Sequence, residues 1–347
     1  MSNIFQKVVS HYDMQLPFVL YCKPNSTDLV GFFQQSKQLF EVIDFTERGF
    51  VFADFDGNQT ILFPESECEI FEEEISFESE KLVPEILEPS ENGKKDFEFV
   101  VEKAIAAIDE GDFEKVVLSR KETLEYEHFD FLEVFRKMLS KYPAAFRYCW
   151  FHPGIGMWLG ASPEQLLKVE ATNFNTVALA GTQKWNPNSD VIWHEKERKE
   201  QQFVTDFIVS ELQEELESLH KSIPYTFQAG NIVHLKTDIK GVFKSDYNLK
   251  KVLKLLHPTP AVCGLPKEKS KTFILANEGY NRKFYAGFLG ELNLKANSDL
   301  FVNLRCMEVQ QNQVHLYIGC GITKESDPEK EYFETANKAM TMKQILK

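Results

Sequence analysis

Short stretches of alternating hydrophobic and polar residues recur along the chain and predict β-strands. FVFADFDGNQTILF (50–63) has aromatic residues on both sides of an Asp-Gly pair, which predicts a hairpin. Further strands are predicted at KVVLSRKETLEY (115–126), RYCWFHPGIGMWLGAS (147–162), LLKVEATNFNTVALAGT (166–182) and DLFVNLRCMEVQQNQVHLYIGCGI (299–322). Within the last of these stretches, an Asn-Gln turn is predicted to join two strands. The acidic stretch 64–95 is expected to be a solvated connection that carries one edge strand.

Three segments have the 3.6-residue spacing of helices. FEFVVEKAIAAIDEGDF predicts a helix that ends near Gly111, and a long helix is predicted from about Ser189 to His220. SDPEKEYFETANKAM (326–340) opens with capping residues and a proline, which indicates a helix start. Strands clustered among long helices without strict βαβ alternation predict an α+β fold with a mostly antiparallel sheet.

Two of these helices place carboxylates in line with apolar residues. On the last helix, Glu331, Glu334 and Lys338 share one face, and that face continues to Met342 and Ile345. On the long helix, Glu197 and Glu200 belong to an apolar stripe. A single ExxE pair is ordinarily a pair of exposed acids, but two such pairs on inward-turning stripes favour a shared function.

Four acids that face a common centre need a compensating cation, because burying a charge without a partner is costly. Ligation by oxygen alone, without cysteine or histidine, favours Mg²⁺. Magnesium held by few carboxylates usually binds a substrate anion as well. The amides of IGCGI (318–322) are candidates to bind that anion. Arg305 is a candidate bidentate partner of a second carboxylate, or equally an exposed strand arginine. His234 is more often a packed strand histidine than a catalyst.

Composition and charge narrow the class of protein. The chain has 347 residues, 43% hydrophobic and 27% charged, which are ordinary globular values. The formal charge of −14 argues against a nucleic-acid partner. Six scattered cysteines, no signal pattern and no apolar run of membrane length favour a reduced cytoplasmic protein without a membrane partner. No heptad seam demands an oligomer, and we expect a monomer.

Ten motifs in order resemble those of the chorismate-utilising enzymes, and within them most closely the isochorismate synthases. The resemblance covers about Phe97 to Ile345, and a catalytic region is expected at 96–347, with residues 1–95 as a β-rich portion packed on the same fold. The motifs are FEKVVLSRK, GASPEQLL, ALAGT, HEKERKEQQFV, VHLKTDIKG, HPTPAVCG, FYAGFLGEL, NLRCMEV, YIGCGI and SDPEKEYFETANKA.

This resemblance implies large, mostly antiparallel sheets wrapped by helices, with a Mg²⁺-dependent chorismate site between them. Glu200 and Glu334 would be the direct metal ligands, and Glu197 and Glu331 would hold metal-bound waters. Gly181 would meet the departing C4 hydroxyl of the substrate. The other substrate-binding positions implied are His234, Ala261, Arg305, Tyr317, Gly319, Gly321 and Lys338.

The resemblance also implies an isomerase that exchanges a hydroxyl group. Water attacking C2 must lose a proton while the C4 hydroxyl gains one, which requires a base and an acid near neutral pH. Lys115 is the expected base, because anthranilate synthases carry glutamine there, and Glu164 is the expected acid. Lys115 therefore needs a lowered pKa and Glu164 a raised one.

Two alternatives stay open. A salicylate synthase would add pyruvate elimination, but the salicylate and anthranilate synthases carry threonine where HPTPAVCG has Ala261. A chorismate-binding protein without turnover would be favoured if the acid or base were absent, and both are present. Whether menaquinone or siderophore synthesis is served does not follow from the residues.

Overall fold

The computed structural model describes residues 3–76, 93–186, 190–229 and 232–346. Seven α-helices lie in these residues: α1 (Asn3–Asp13), α2 (Lys94–Asp109), α3 (Phe131–Lys141), α4 (Glu195–Leu212), α5 (Leu249–Leu256), α6 (Lys267–Asn277) and α7 (Pro328–Lys343). Two single 3₁₀ turns occur at Glu65–Glu67 and Gln213–Glu215.

The same residues form nineteen strands. In chain order they are β1 (Phe18–Cys22), β2 (Asp28–Gln34), β3 (Phe40–Glu41), β4 (Gly49–Ala53), β5 (Thr60–Pro64), β6 (Cys68–Glu74), β7 (Lys115–Glu125), β8 (Phe146–His152), β9 (Gly156–Ser162), β10 (Gln165–Glu170), β11 (Asn173–Lys184), β12 (Leu216–Lys221), β13 (Tyr225–Ala229), β14 (Ile232–Phe243), β15 (Gly264–Leu265), β16 (Phe288–Leu294), β17 (Asn297–Val302), β18 (Cys306–Gln310) and β19 (Gln313–Ile322).

The strands form two large sheets. The first has the order β15-β7-β19-β18-β9-β8-β1-β2-β6, and the second has the order β12-β14-β11-β10-β17-β16-β4-β5-β3, with β13 paired to β14. Every pairing in the described ranges is antiparallel. The expected α+β fold with large antiparallel sheets is therefore confirmed.

The main core lies between the two sheets. On β1, Val19 and Tyr21 point into this core, while Phe18 and Leu20 point into a second cluster on the outer face with α1, α3 and the end of α7. This alternation follows from the two-residue period of a strand whose two faces are both covered. Phe146 of β8 stacks on Phe301 of β17 across the sandwich, with ring centroids 4.4 Å apart.

Strands from the first 95 residues are integral to both sheets. β1 pairs with β8 in the first sheet, and β4 pairs with β16 in the second. The hairpin predicted at 50–63 is confirmed as β4 and β5. β6 is the predicted edge strand of the acidic stretch 64–95, of which residues 77–92 lie outside the described part.

The remaining predictions of elements agree with the structure, with two corrections. The long helix is shorter than expected: its predicted start at Ser189 lies outside the described residues, and α4 ends at Leu212. Residues up to Lys221 instead form a 3₁₀ turn and β12, because pairing with β14 overrides their helical spacing. The turn between β18 and β19 is Gln311-Asn312, one residue earlier than predicted.

All six cysteines lie in described segments and are free thiols, five of them buried. No helix within the described ranges combines the length and the apolar character that a membrane span requires.

Candidate active site

A cavity of about 150 Å³ lies where β7 and β19 of the first sheet meet β11 and β14 of the second. Helices α4 and α7 cover it, and the loop before β15 closes one side. Every residue that the sequence analysis placed in the site lines this cavity, except Glu331. The structure thus brings the predicted residues together, while their roles remain predictions.

Lys115, the first residue of β7, reaches the cavity from the first sheet. Its side chain is 2% exposed, and within the described ranges its ammonium group makes no hydrogen bond or ion pair of ordinary length. Burial lowers the pKa of Lys115, although Glu200 raises it again through space. A Cβ at position 321 would lie 3.0 Å from Cε of Lys115, so Gly321 leaves the space that the lysine occupies.

Glu164 follows β9 and reaches the same cavity. It is 5% exposed, and in the described part of the chain its carboxyl group has no hydrogen-bond partner. Burial raises the pKa of Glu164 to about 8, against a smaller opposing effect of Lys115. Burial therefore shifts both the lysine and the carboxylic acid toward their neutral forms.

The N-terminal end of α4 packs closely on β11. Gly181 has φ +73°, and a Cβ there would lie 2.9 Å from Cβ of Glu197, so glycine is needed both for the backbone and for the approach of the helix. Glu197 accepts a hydrogen bond from the backbone N–H of His194 at 3.1 Å, so it also caps its own helix. Glu197 and Glu200 both line the cavity and are half-buried.

Helix α7 enters the site from the other side. Asp327 caps it by accepting the backbone N–H of Lys330, and Pro328 is its first residue, as the sequence predicts. Glu334 forms an ion pair with Lys338 at 2.7 Å, and the Lys338 ammonium group also donates to the carbonyl of Gly319 at 3.0 Å.

Glu331 does not line the cavity, although it was expected beside Glu334. It is 3% exposed and lies under α7 against Cys320, whose thiol pKa is raised first by burial and then by this carboxylate. Glu334, whose carboxylate lines the cavity, therefore lies about one helical turn after Glu331, whose carboxylate packs beneath the helix.

The residues of the cavity fit a magnesium ion by their chemistry. In the described segments no three acidic, cysteine or histidine side chains converge on one point. Mg²⁺ does not require such a cage, because it is commonly held by one or two carboxylates together with waters and substrate oxygens. Glu200 and Glu334 face one cavity from two helices and meet that requirement.

Arg305 and Lys338 are the cations on the far wall. Arg305 has φ +48°, a left-handed conformation that is uncommon for arginine, and its guanidinium group donates to Thr341 Oγ1 at 3.0 Å. Tyr317 also lines the cavity, but its hydroxyl group donates to Glu308 at 2.7 Å. For Tyr317 to donate to a substrate carboxylate, this bond would have to break.

His234 is a packed residue whose Nδ1 lies 3.1 Å from the carbonyl oxygen of Gly181. Burial, together with Arg305 and Lys338, lowers its pKa to about 3. His234 is therefore neutral at neutral pH and does not supply a proton.

Sequence reasoning missed one polar residue of the cavity, Tyr285. A Cβ at position 319 would lie 2.7 Å from its hydroxyl oxygen, so Gly319 admits that group. The signal was available, since Tyr285 lies within FYAGFLGEL, which was used only as a motif.

Comparison with known proteins finds similarity in sequence and in fold. The sequence profile of the family described as chorismate binding enzyme matches residues 58–347. Isochorismate synthase EntC of Escherichia coli is 31% identical over 71% of this chain and 66% of its own length. The salicylate biosynthesis isochorismate synthase of Pseudomonas aeruginosa is 30% identical over 73% of this chain and 55% of its own length.

The alignments thus span less than two thirds of these relatives' own lengths. The structure of MenF, the menaquinone-specific isochorismate synthase from Escherichia coli, superposes with a TM-score of 0.80 and 23% identity, covering 95% of this chain and 89% of that one. This similarity concerns the fold. The match to the family profile over most of the chain shows that this protein belongs to the chorismate binding enzyme family.

Proposed function

We propose that the protein is a Mg²⁺-dependent isochorismate synthase. It would convert chorismate reversibly to isochorismate by attack of water at C2 and loss of the C4 hydroxyl group. Membership of the family supports chorismate as the substrate, and the names of the relatives support this activity among those of the family.

The observation that carries the proposal is that two buried groups of one cavity have pKa values shifted in opposite directions, downward for Lys115 and upward for Glu164. Burial lowers the pKa of Lys115, which shifts its amine toward the neutral form that can take the proton of the attacking water. Glu164 has a pKa of about 8, so a protonated carboxyl group is available at neutral pH for the departing hydroxyl. The two act in one step if they face opposite sides of the ring.

The cations of the cavity would bind the carboxylates of chorismate. Arg305 and Lys338, with the amides of Gly319 and Gly321, lie on one wall and favour the enolpyruvyl carboxylate. The backbone of Gly181 approaches the cavity from the second sheet, where it would meet the C4 hydroxyl.

Glu200 and Glu334 would hold the magnesium ion. When bound, the ion supplies positive charge for the ring carboxylate of the substrate. The chain's own contribution is to keep the two carboxylates on separate helices, α4 and α7, that face the same space.

Salicylate synthesis is the second candidate, and the name of the Pseudomonas aeruginosa relative keeps it in view. That relative is itself named an isochorismate synthase. Ala261 lines the cavity where the salicylate synthases that this chain resembles carry threonine, which favours release of isochorismate without pyruvate elimination.

Proton NMR of chorismate incubated with the purified protein, with and without Mg²⁺, tests the proposal. We expect isochorismate to approach a fixed ratio with chorismate only when the metal is present. Salicylate and pyruvate would establish the second candidate. An unchanged spectrum with Mg²⁺ present would contradict catalysis and leave a chorismate-binding protein without turnover.

A further inference from the structure

A buried ion pair lies directly behind the wall of the cavity that carries Lys115. Glu278 caps the end of α6, and Arg282 lies four residues further along the chain, beyond the helix. Both side chains are 2% exposed. Arg282 Nε donates to Glu278 Oε2 at 2.8 Å and Nη2 donates to Oε1 at 2.5 Å, a bidentate geometry that lysine does not reproduce.

The guanidinium group of Arg282 also joins two segments of the cavity wall. Its Nη2 donates to the carbonyl of Val117 at 2.6 Å, and its Nη1 donates to the carbonyl of Val262 at 2.8 Å. Both valines line the cavity: Val117 is two residues after Lys115 on β7, and Val262 follows Ala261. One rigid side chain therefore fixes the separation of the Lys115 strand from the Ala261 loop.

The carboxylate of Glu278 holds β7 at a third point. It accepts the backbone N–H of Ser119 at 2.6 Å and the Ser119 hydroxyl at 3.0 Å. The Ser119 hydroxyl also lies 2.6 Å from that of Tyr280, and the face of the Arg282 guanidinium rests 4.3 Å from the ring of Phe55. The pair is thus enclosed by protein groups, and neither of its residues lines the cavity.

We propose that Glu278 and Arg282 are positioning residues for hydroxyl exchange, which hold the Lys115 strand and the Ala261 loop at the separation that the reaction requires. The inference rests on the proposed function, since it concerns the placement of its base. The planar guanidinium group of arginine binds two carbonyls and a carboxylate at once and so sets this separation. The ammonium group of a lysine would make only part of these hydrogen bonds.

Arg282→Lys and Glu278→Gln test the proposal, with Arg147→Lys as a matched control. Arg147 is another buried arginine that donates to backbone carbonyls, those of Leu139 and Lys23, but it lies on the outer side of the first sheet and does not line the cavity. All three changes remove hydrogen bonds from a buried pair or network, so all should lower the melting temperature.

The distinguishing readout is kcat per folded protein, measured well below each melting temperature, with the Kd of chorismate measured by calorimetry. We expect Arg282→Lys to lower kcat about 10- to 100-fold with little change in Kd, because misplacement of a reacting group by about 1 Å has effects of this size. Glu278→Gln keeps the shape of the acceptor and should show a smaller loss. Arg147→Lys should keep the wild-type kcat.

Wild-type kcat in folded Arg282→Lys would overturn the inference. So would failure of both Arg282→Lys and Glu278→Gln to fold while Arg147→Lys folds, since the pair would then serve only folding. A wild-type protein that binds chorismate without converting it would contradict the proposed function instead, and this outcome is read from the unmodified protein.

Discussion

Lys115 and Glu164 are both buried, and burial favours the neutral form of each. A neutral amine is a base and a neutral carboxyl group is an acid, so burial shifts each group toward the form that its proposed role in proton transfer requires. The sequence supplies the residue types, but only the folded cavity supplies the surroundings that shift their pKa values.

Replacing the proposed base should abolish turnover while sparing binding. We expect Lys115→Ala to lower the rate of hydroxyl exchange by about 10²- to 10⁴-fold, the usual contribution of a general base. Mg²⁺-dependent binding of chorismate should remain, since the groups proposed to bind its carboxylates and the metal are unchanged. Lys121→Ala, an exposed position on the same strand, is the control and should be fully active. Strong residual exchange in Lys115→Ala would remove the assignment.

The proposed acid should limit activity at high pH. Glu164 must be protonated to act, so kcat should fall as the pH rises through about 8.

The pKa of Glu164 in the folded protein lies above the unfolded value of 4.5, so the protonated form stabilises the fold at low pH. That contribution to stability is lost as the pH rises from 4.5 to about 8. Glu164→Gln should therefore be inactive but more stable at pH 7, by roughly 1–3 kcal/mol.

Thermal unfolding of Glu164→Gln at pH 5 and pH 7 measures this effect. The stabilisation should be larger at pH 7, because the unfolded wild-type chain is more fully ionised there. A variant that is less stable than the wild type at both pH values would contradict the raised pKa.

Ala261 is expected to separate the two candidate reactions. Ala261→Thr should release some pyruvate and salicylate from chorismate, which a lactate dehydrogenase-coupled assay and fluorescence detect. An active variant without either product would mean that this position does not control elimination.

At the scale of elements, α4 and α7, which carry the proposed metal ligands Glu200 and Glu334, are held in place in different ways. Helix α4 approaches β11 closely because Gly181 has no side chain, and α7 packs on β19 and is capped by Asp327. The cap fixes the first turn of α7, and Glu334 lies in the second turn. We therefore expect the affinity of the proposed metal site to depend on the stability of the first turn of α7.

Asp327→Ala should weaken magnesium binding without touching a ligand. Loss of an N-cap lowers stability by about 1 kcal/mol, and here it also frees the turn before Glu334. We expect a weaker affinity for Mg²⁺ by calorimetry. Asn248→Ala removes the corresponding cap of α5, away from the cavity, and should lower stability to a similar extent while keeping the affinity. Equal affinities in the two variants would contradict this role of the cap.

Most elements were predictable because hydrophobic spacing and turn residues are local. The hairpin at 50–63 and the start of α7 follow from a few neighbouring residues. The end of α4 was not predictable, because the residues after Leu212 obtain their strand partner from β14, which lies more than ten residues further along. Helical spacing predicted that Glu331 lies on the buried face of α7, but it could not show that this carboxylate packs against Cys320 while Glu334 lines the cavity.

At the scale of the whole molecule, the site lies between two sheets, and each sheet contains strands from both the first 95 residues and the rest of the chain. Strands β1 and β4, from the first 95 residues, lie within the sheets that carry Lys115 and Gly181 respectively. Such pairings join residues far apart in sequence, so hydrophobic patterning alone does not assign strand order. The family resemblance supplied the site residues, whereas the missed Tyr285 and the pair behind Lys115 required the folded structure.

The central claim is that water, and not an internal transfer, delivers the new hydroxyl group at C2. Mass spectrometry of isochorismate formed from chorismate in H₂¹⁸O, sampled early in the reaction with Mg²⁺ present, tests it most directly. We predict that each isochorismate carries one labelled oxygen at C2. Isochorismate that forms at the same rate without the label would contradict the account, since the C4 hydroxyl would then have migrated within the substrate.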